Sequence, residues 1–226
     1  MLLKNKNAVI AAVLGALILT PSVQAVPVFN LSGGTVTAPT ESSATDPTPL
    51  YGFPTVVGDS LTFSTGPFAA AQAGTGADIT SGQLSFVIQA DPGLFIESIS
   101  LEEIGDFLML GNTAEVTAGG TLVATILNPL IGGFVSDPID VDPTMPQAGT
   151  GSGIWSGTAA VVLTPYDATR VRIDLNNTLI ASADAPADAA FIDKKALTVN
   201  VQFRVIPEPA SLVLMAMGLF AIGRRH

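Results

Sequence analysis

The side chains able to do chemistry here are mostly carboxylates. The 226 residues include 19 Asp and Glu against 9 Lys and Arg, with no Cys and one His, His226. Without cysteine there is no disulfide framework, thiol nucleophile, Cys-ligated metal or acylated N-terminal cysteine. A single histidine at position 226 leaves no catalytic triad, His-ligated zinc or haem site upstream of it. Glu102, Glu103 and Asp106 form the nearest approach to the paired carboxylates of a glycosidase. Adjacent residues on a strand point to opposite faces, whereas a turn over 102–109 would expose both glutamates. No nucleophile or oxyanion donor stands near them in sequence, and the many Ser and Thr hydroxyls lack an evident base. The composition reads as that of a protein that is not an enzyme.

Two further groups invite binding rather than catalysis. Asp137, Asp140 and Asp142 are the densest carboxylates, and hard oxygen ligands on a loop suit calcium. Their spacing matches neither an EF-hand nor a glycine-rich calcium repeat, and Pro138 and Pro143 restrict the backbone. A solvated acidic loop is the alternative, so calcium is the one cofactor the sequence raises. Trp155 and Tyr166, with Tyr51, could stack on sugar rings. A lone Trp in a β-sandwich equally serves as packing.

The elements that must carry these residues are strands. Residues 196–205 alternate Leu197, Val199, Val201, Phe203 and Val205 against Thr198, Asn200, Gln202 and Arg204. Residues 170–175 alternate in the same way. Period-2 patterning of this kind marks strands with one wet face. Shorter runs at 59–64, 83–90, 94–101, 113–118, 121–127 and 154–163 read alike, with Gly, Pro, Asp and Ser between them. Three stretches, 38–54, 66–82 and 128–153, read as irregular. No sustained helical period occurs between the two ends of the chain. The expected fold is all-β, an antiparallel sandwich of about seven to nine strands. An outer-membrane barrel would need lipid-facing alternation and aromatic girdles, and the chain has few aromatics.

Charge narrows the partners. Residues 26–206 hold 18 acids and 5 bases, and residues 26–169 contain no Lys or Arg at all. Such a surface repels phosphate backbones, which excludes nucleic acid.

The ends read as addresses. Lys4 and Lys6 precede the apolar run 8–19, then Thr20, Pro21 and Ser22 break it, and Val23-Gln24-Ala25 sets small residues at a cleavage position. Twelve apolar residues make about 18 Å of helix against a ~30 Å hydrocarbon core. The layout predicts a signal peptide over 1–25 that engages the Sec translocon and is cut after Ala25. Beyond the expected sandwich domain, residues 26–205, the segment 206–226 holds Pro207-Glu208-Pro209, the apolar stretch 210–223 and the basic pair Arg224-Arg225. This order closely resembles the PEP-CTERM sorting signal of Gram-negative bacteria. The basic pair would hold the tail on the positive-inside face. The stretch 210–223, about 21 Å as a helix, is short for a permanent anchor and suits transient insertion. Two prolines keep the motif extended at the membrane face, where a protease can read it.

The resemblance implies recognition by an exosortase and delivery to the cell surface or extracellular matrix of a polysaccharide-producing cell. The expectation is therefore a non-enzymatic, exported surface or matrix protein. The alternative is an exopolysaccharide-binding module assisted by calcium.

Overall fold

A computed structural model describes residues 27–129 and 133–205. The expected signal peptide, its Ala25 cleavage position and the sorting segment from Ile206 onward lie outside the described residues.

Within those residues the chain forms fifteen strands. Six short ones come first: β1 (Val28–Asn30), β2 (Gly34–Thr37), β3 (Thr40–Ser42), β4 (Thr55–Val57), β5 (Ser60–Ser64) and β6 (Ala69–Ala73). Three long ones follow, β7 (Gly76–Ala90), β8 (Leu94–Leu110) and β9 (Glu115–Asn128). Then come β10 (Phe134–Pro138), β11 (Asp140–Asp142) and β12 (Gln147–Ala148). Three more long strands, β13 (Gly151–Val162), β14 (Arg170–Ala183) and β15 (Ala189–Val205), complete the set. Every pairing is antiparallel, and the strands divide into two sheets.

The first sheet runs β1-β2-β7-β14-β9-β10, with β3 on β7 and β12 on β9; the second runs β11-β13-β8-β15-β5-β4, with β6 also on β15. Their inner faces close on one core that includes Phe63, Leu84, Ile88, Leu101, Leu122, Trp155, Ile173 and Val199. The fold is the expected antiparallel sandwich.

It has more strands than its sequence advertises, because glycines and polar residues lie inside strands rather than between them. Residues 113–118 and 121–127 are largely one strand, β9, which runs straight through Gly119-Gly120. Likewise β8 continues as a strand through 102–109 and makes no turn there. Glu102, Ile104, Asp106 and Leu108 face outward there, and Glu103, Gly105 and Phe107 face inward. Apolar residues outside and polar ones inside disguise the period. The three stretches expected to be irregular contain β3, β6, the first part of β7, and β10 to β12.

The predicted phase of the last strand holds from Leu197 to Val201, with Leu197, Val199 and Val201 each at most 3% exposed. A register shift between Gln202 and Phe203 then turns the strand, Phe203 is only partly buried, and Val205 is exposed.

Candidate functional site

The second register shift in β15, between Lys194 and Ala196, builds an unusual site. Before it, Ala190 and Ile192 are buried; after it, Leu197 and Val199 are, so two residues must absorb the change of phase. A bulge of this kind bends a strand and re-aims a side chain. Lys194 turns inward and is 0% exposed, whereas Lys195 turns out to Asp193 and Asp106.

Three hydrogen bonds tie down the backbone of the bulge. The Trp155 indole N–H donates to the Asp193 carbonyl at 2.9 Å, the Lys194 N–H to the Phe68 carbonyl at 2.9 Å, and the Thr65 hydroxyl to the Lys194 carbonyl at 2.8 Å. These bonds fix the bulge, and with it the direction of the lysine stem.

The Lys194 ammonium reaches Glu103 on β8, with Nζ 2.7 Å from Oε1. Glu103 is itself only 2% exposed. Its other oxygen, Oε2, accepts from Nδ2 of Asn177 on β14 at 3.1 Å, across the gap between the sheets. The carbonyl oxygen of that same amide accepts from the Tyr51 hydroxyl at 2.9 Å. Two aromatic rings enclose the amine: Nζ stands 4.7 Å from the Phe68 centroid and 5.7 Å from that of Tyr51. The rings meet edge-on, 5.3 Å apart at 64°.

Glu41 holds Tyr51 in place. Its carboxylate accepts from the backbone N–H groups of Leu50, Tyr51 and Gly52 at 2.6, 3.0 and 2.6 Å, pinning the segment before β4 over the sheet.

Room for the site comes from glycines. Asn177 pairs with Gly82 on one side and Gly120 on the other. A Cβ on Gly120 would fall 2.8 Å from Asn177 Nδ2, and one on Gly82 would fall 2.7 Å from the Phe68 ring. On the opposite sheet Glu103 pairs with Gly157.

The electrostatics follow from burial. Desolvation pushes the Lys194 amine below its ordinary range, against the opposing charge and hydrogen bond of Glu103. Burial, and then the Glu103 and Glu41 carboxylates, push the Tyr51 phenol far up, so its hydroxyl remains a proton donor. A buried pair of this kind is weak evidence for stability, since apolar residues of equal volume often serve as well. Removing one partner alone typically costs about 3–5 kcal/mol.

Of the residues singled out from sequence, Tyr51 and Glu103 belong to this site, Trp155 packs against its bulge, and the others lie elsewhere. Trp155 is 1% exposed and seals the bulge, so its ring offers no face to a sugar. Tyr51 is equally buried, at 1%, and belongs to the lysine site. Tyr166 lies partly buried in the short 3-10 turn Thr164–Tyr166. Asp137 sits on β10 of one sheet and accepts from the Ala160 N–H at 2.8 Å; Asp140 and Asp142 sit exposed on β11 of the other. The three aspartates are thus on strands rather than on a loop. Among the described residues, no group of three or more His, Cys, Asp or Glu is placed to hold a metal ion.

Glu103 is the carboxylate of the site. Its neighbour Glu102 faces solvent, so the two do not form an acid–base pair. Sequence reasoning missed Asn177 and Lys194 altogether. The available signal was an Asn-Asn pair and a Lys-Lys pair within otherwise clean strand alternation.

Comparison with known proteins adds one assignment. No curated protein matches this sequence. Among solved structures, TmCBM61 in complex with beta-1,4-galactotriose is similar at 11% identity and a TM-score of 0.25, covering 74% of this chain and 88% of that one. The winged bean acidic lectin complexed with methyl-alpha-D-galactose aligns at 11% identity and a TM-score of 0.24, over 63% and 98% of the two chains. The enzymatically active domain of bacteriophage CBA120 tailspike protein 4 aligns at 14% identity and a TM-score of 0.23, over 78% of this chain and 20% of that one. None of the three contributes a residue or a ligand to this chain. Residues 205–226 match the PEP-CTERM protein-sorting motif, which identifies the protein as an exosortase substrate.

Proposed function

We propose that this is an exported, non-enzymatic protein of the cell surface or extracellular matrix, and that the sandwich is the cargo of its sorting motif. One observation carries the reading. The sorting match opens at Val205, the final residue of β15, so the recognised segment follows directly from a central strand of the second sheet. A signal peptide over 1–25 would deliver the chain across the inner membrane. The exosortase would then act at Pro207-Glu208-Pro209 while Arg224 and Arg225 hold the tail.

An acidic, lysine-poor outer surface suits a hydrated polysaccharide environment without requiring a glycan site. With Trp155 inside the sandwich, the sugar-stacking alternative loses its principal ring.

Replacing Pro207, Glu208 and Pro209 by alanine together tests the reading. Export should persist, while the mature mass should rise by the unprocessed tail and the protein should remain with the membrane fraction. An unchanged mass and location would overturn it.

A further inference from the structure

The buried site has the parts needed to make a covalent bond within the chain. We propose that Lys194 and Asn177 join spontaneously into an isopeptide bond, Nζ to Cγ, that staples the two sheets together, with Glu103 as proton carrier.

Three features support this. First, amine and carboxamide are held against the two oxygens of one carboxylate, at 2.7 and 3.1 Å. Such positioning turns a slow bimolecular aminolysis into an intramolecular step. Second, the site is dry: Lys194, Glu103 and Asn177 are 0%, 2% and 3% exposed. Burial favours the neutral, nucleophilic amine, as for activated lysines elsewhere. Third, the Tyr51 hydroxyl already donates to the oxygen on which negative charge would develop. A donor placed there in advance stabilises a tetrahedral intermediate.

The chemistry balances without any co-reactant. Glu103 Oε1 takes one proton from the Nζ ammonium, and the lone pair of the resulting amine attacks Cγ of Asn177. The new C–N bond forms as the C=O electron pair moves onto Oδ1 beside Tyr51. Reformation of the carbonyl breaks the Cγ–Nδ2 bond. Glu103 delivers that proton to the departing nitrogen, which leaves as ammonia, and the freed carboxylate takes the second proton of Nζ, leaving a secondary amide and a neutral Glu103 acid. Amine plus primary amide become secondary amide plus ammonia; nothing is oxidised or reduced.

The bond would link β14 to β15, each central in its sheet. It would also replace a buried ion pair of doubtful stabilising value with a covalent tie.

The test is the mass of the full-length purified protein, followed by tryptic mapping. Trypsin cuts after Arg172, Lys194 and Lys195. The expected product is a peptide of residues 173–195, uncut at Lys194, lighter than calculated by one ammonia, and giving no fragment ions between Asn177 and Lys194. Lys194→Arg and Glu103→Gln should each give full mass, and Lys194→Arg should restore cleavage at 194. Should these variants misfold, Lys194→Met combined with Glu103→Gln removes both buried charges and should also retain the ammonia.

Full mass and normal cleavage at Lys194 in the folded wild-type protein would overturn the proposal. Ammonia loss that persists in the Lys194 variants would also overturn it, since it would point to succinimide formation at an asparagine.

Discussion

Gly119 and Gly120 are adjacent in β9, share a backbone conformation open to any residue, and should respond oppositely to alanine. A Cβ on Gly119 meets nothing within 4 Å. Gly119→Ala should therefore stabilise, by about 0.4–1 kcal/mol, through the reduced freedom of the unfolded chain. A Cβ on Gly120 would lie 2.3 Å from the Asn176 carbonyl oxygen, and 2.8 Å from both Asn177 Nδ2 and Ile139 Cδ1. Two of those contacts belong to β14, the partner strand, so relief requires moving a central pair of strands. Overpacking of this kind costs about 1–3 kcal/mol. Displacing the Asn177 amide from Glu103 would add about 1–3 kcal/mol for a buried donor left unpaired. The two variants should thus differ by about 3 kcal/mol or more, which at a urea slope near 2 kcal/mol/M separates their midpoints by about 1.5 M. Urea unfolding of residues 26–206 expressed alone, followed by tryptophan fluorescence of the buried Trp155, measures it. Coincident midpoints, or a more stable Gly120→Ala, would refute the account of how Asn177 is accommodated.

Two other outcomes are expected. Val201→Asp places a carboxylate at a position 3% exposed and should cost several kcal/mol of a ~5–15 kcal/mol total, while Gln202→Asp, on the exposed face, should cost little; equal losses in urea melts would contradict the register given for β15. Asp188 is held below the ordinary carboxylate range by hydrogen bonds from the Thr113 hydroxyl and N–H, each 2.7 Å, so it stabilises the fold above the ordinary pKa of ~3.9 and loses that contribution as pH falls through its own lower value. Asp188→Asn should therefore melt lower than wild type at neutral pH and converge with it in acid; a constant gap across that range would rule out the carboxylate as the cause.

Strand identity was legible wherever hydrophobic alternation had a wet outer face. That is why 170–175, 196–201 and the first half of β8, 94–101, read correctly while its second half, 102–109, did not. In β8 the inward positions include Glu103 and Gly105, and the outward ones include Ile104 and Leu108, so the periodic signal cancels over the segment that carries the site. Gly119-Gly120 misled for a related reason. In sequence a Gly pair signals a turn, but here Gly120 clears space for a side chain from the neighbouring strand. The buried cluster itself draws on four separate segments: Tyr51, Glu103, Asn177 and Lys194 come together only when two sheets face each other. No local window contains that information. The sorting motif, by contrast, is contiguous, and its residues announce it without any fold.

The placement of β15 also decides how the molecule would respond to being pulled by its tail. The strand is paired with β8 along nearly its whole length, from Ala189 opposite Leu110 to Val205 opposite Leu94, and with β5 and β6 on its other side. Tension applied beyond Val205 runs along the strand axis, so these ladders are sheared together instead of being unzipped one rung at a time. At the other end β1 is a three-residue edge strand on β2, which tension on the N-terminal side would peel away first. The sandwich is therefore polarised, giving way at its N-terminal edge and resisting at the C-terminal strand from which the sorting segment emerges.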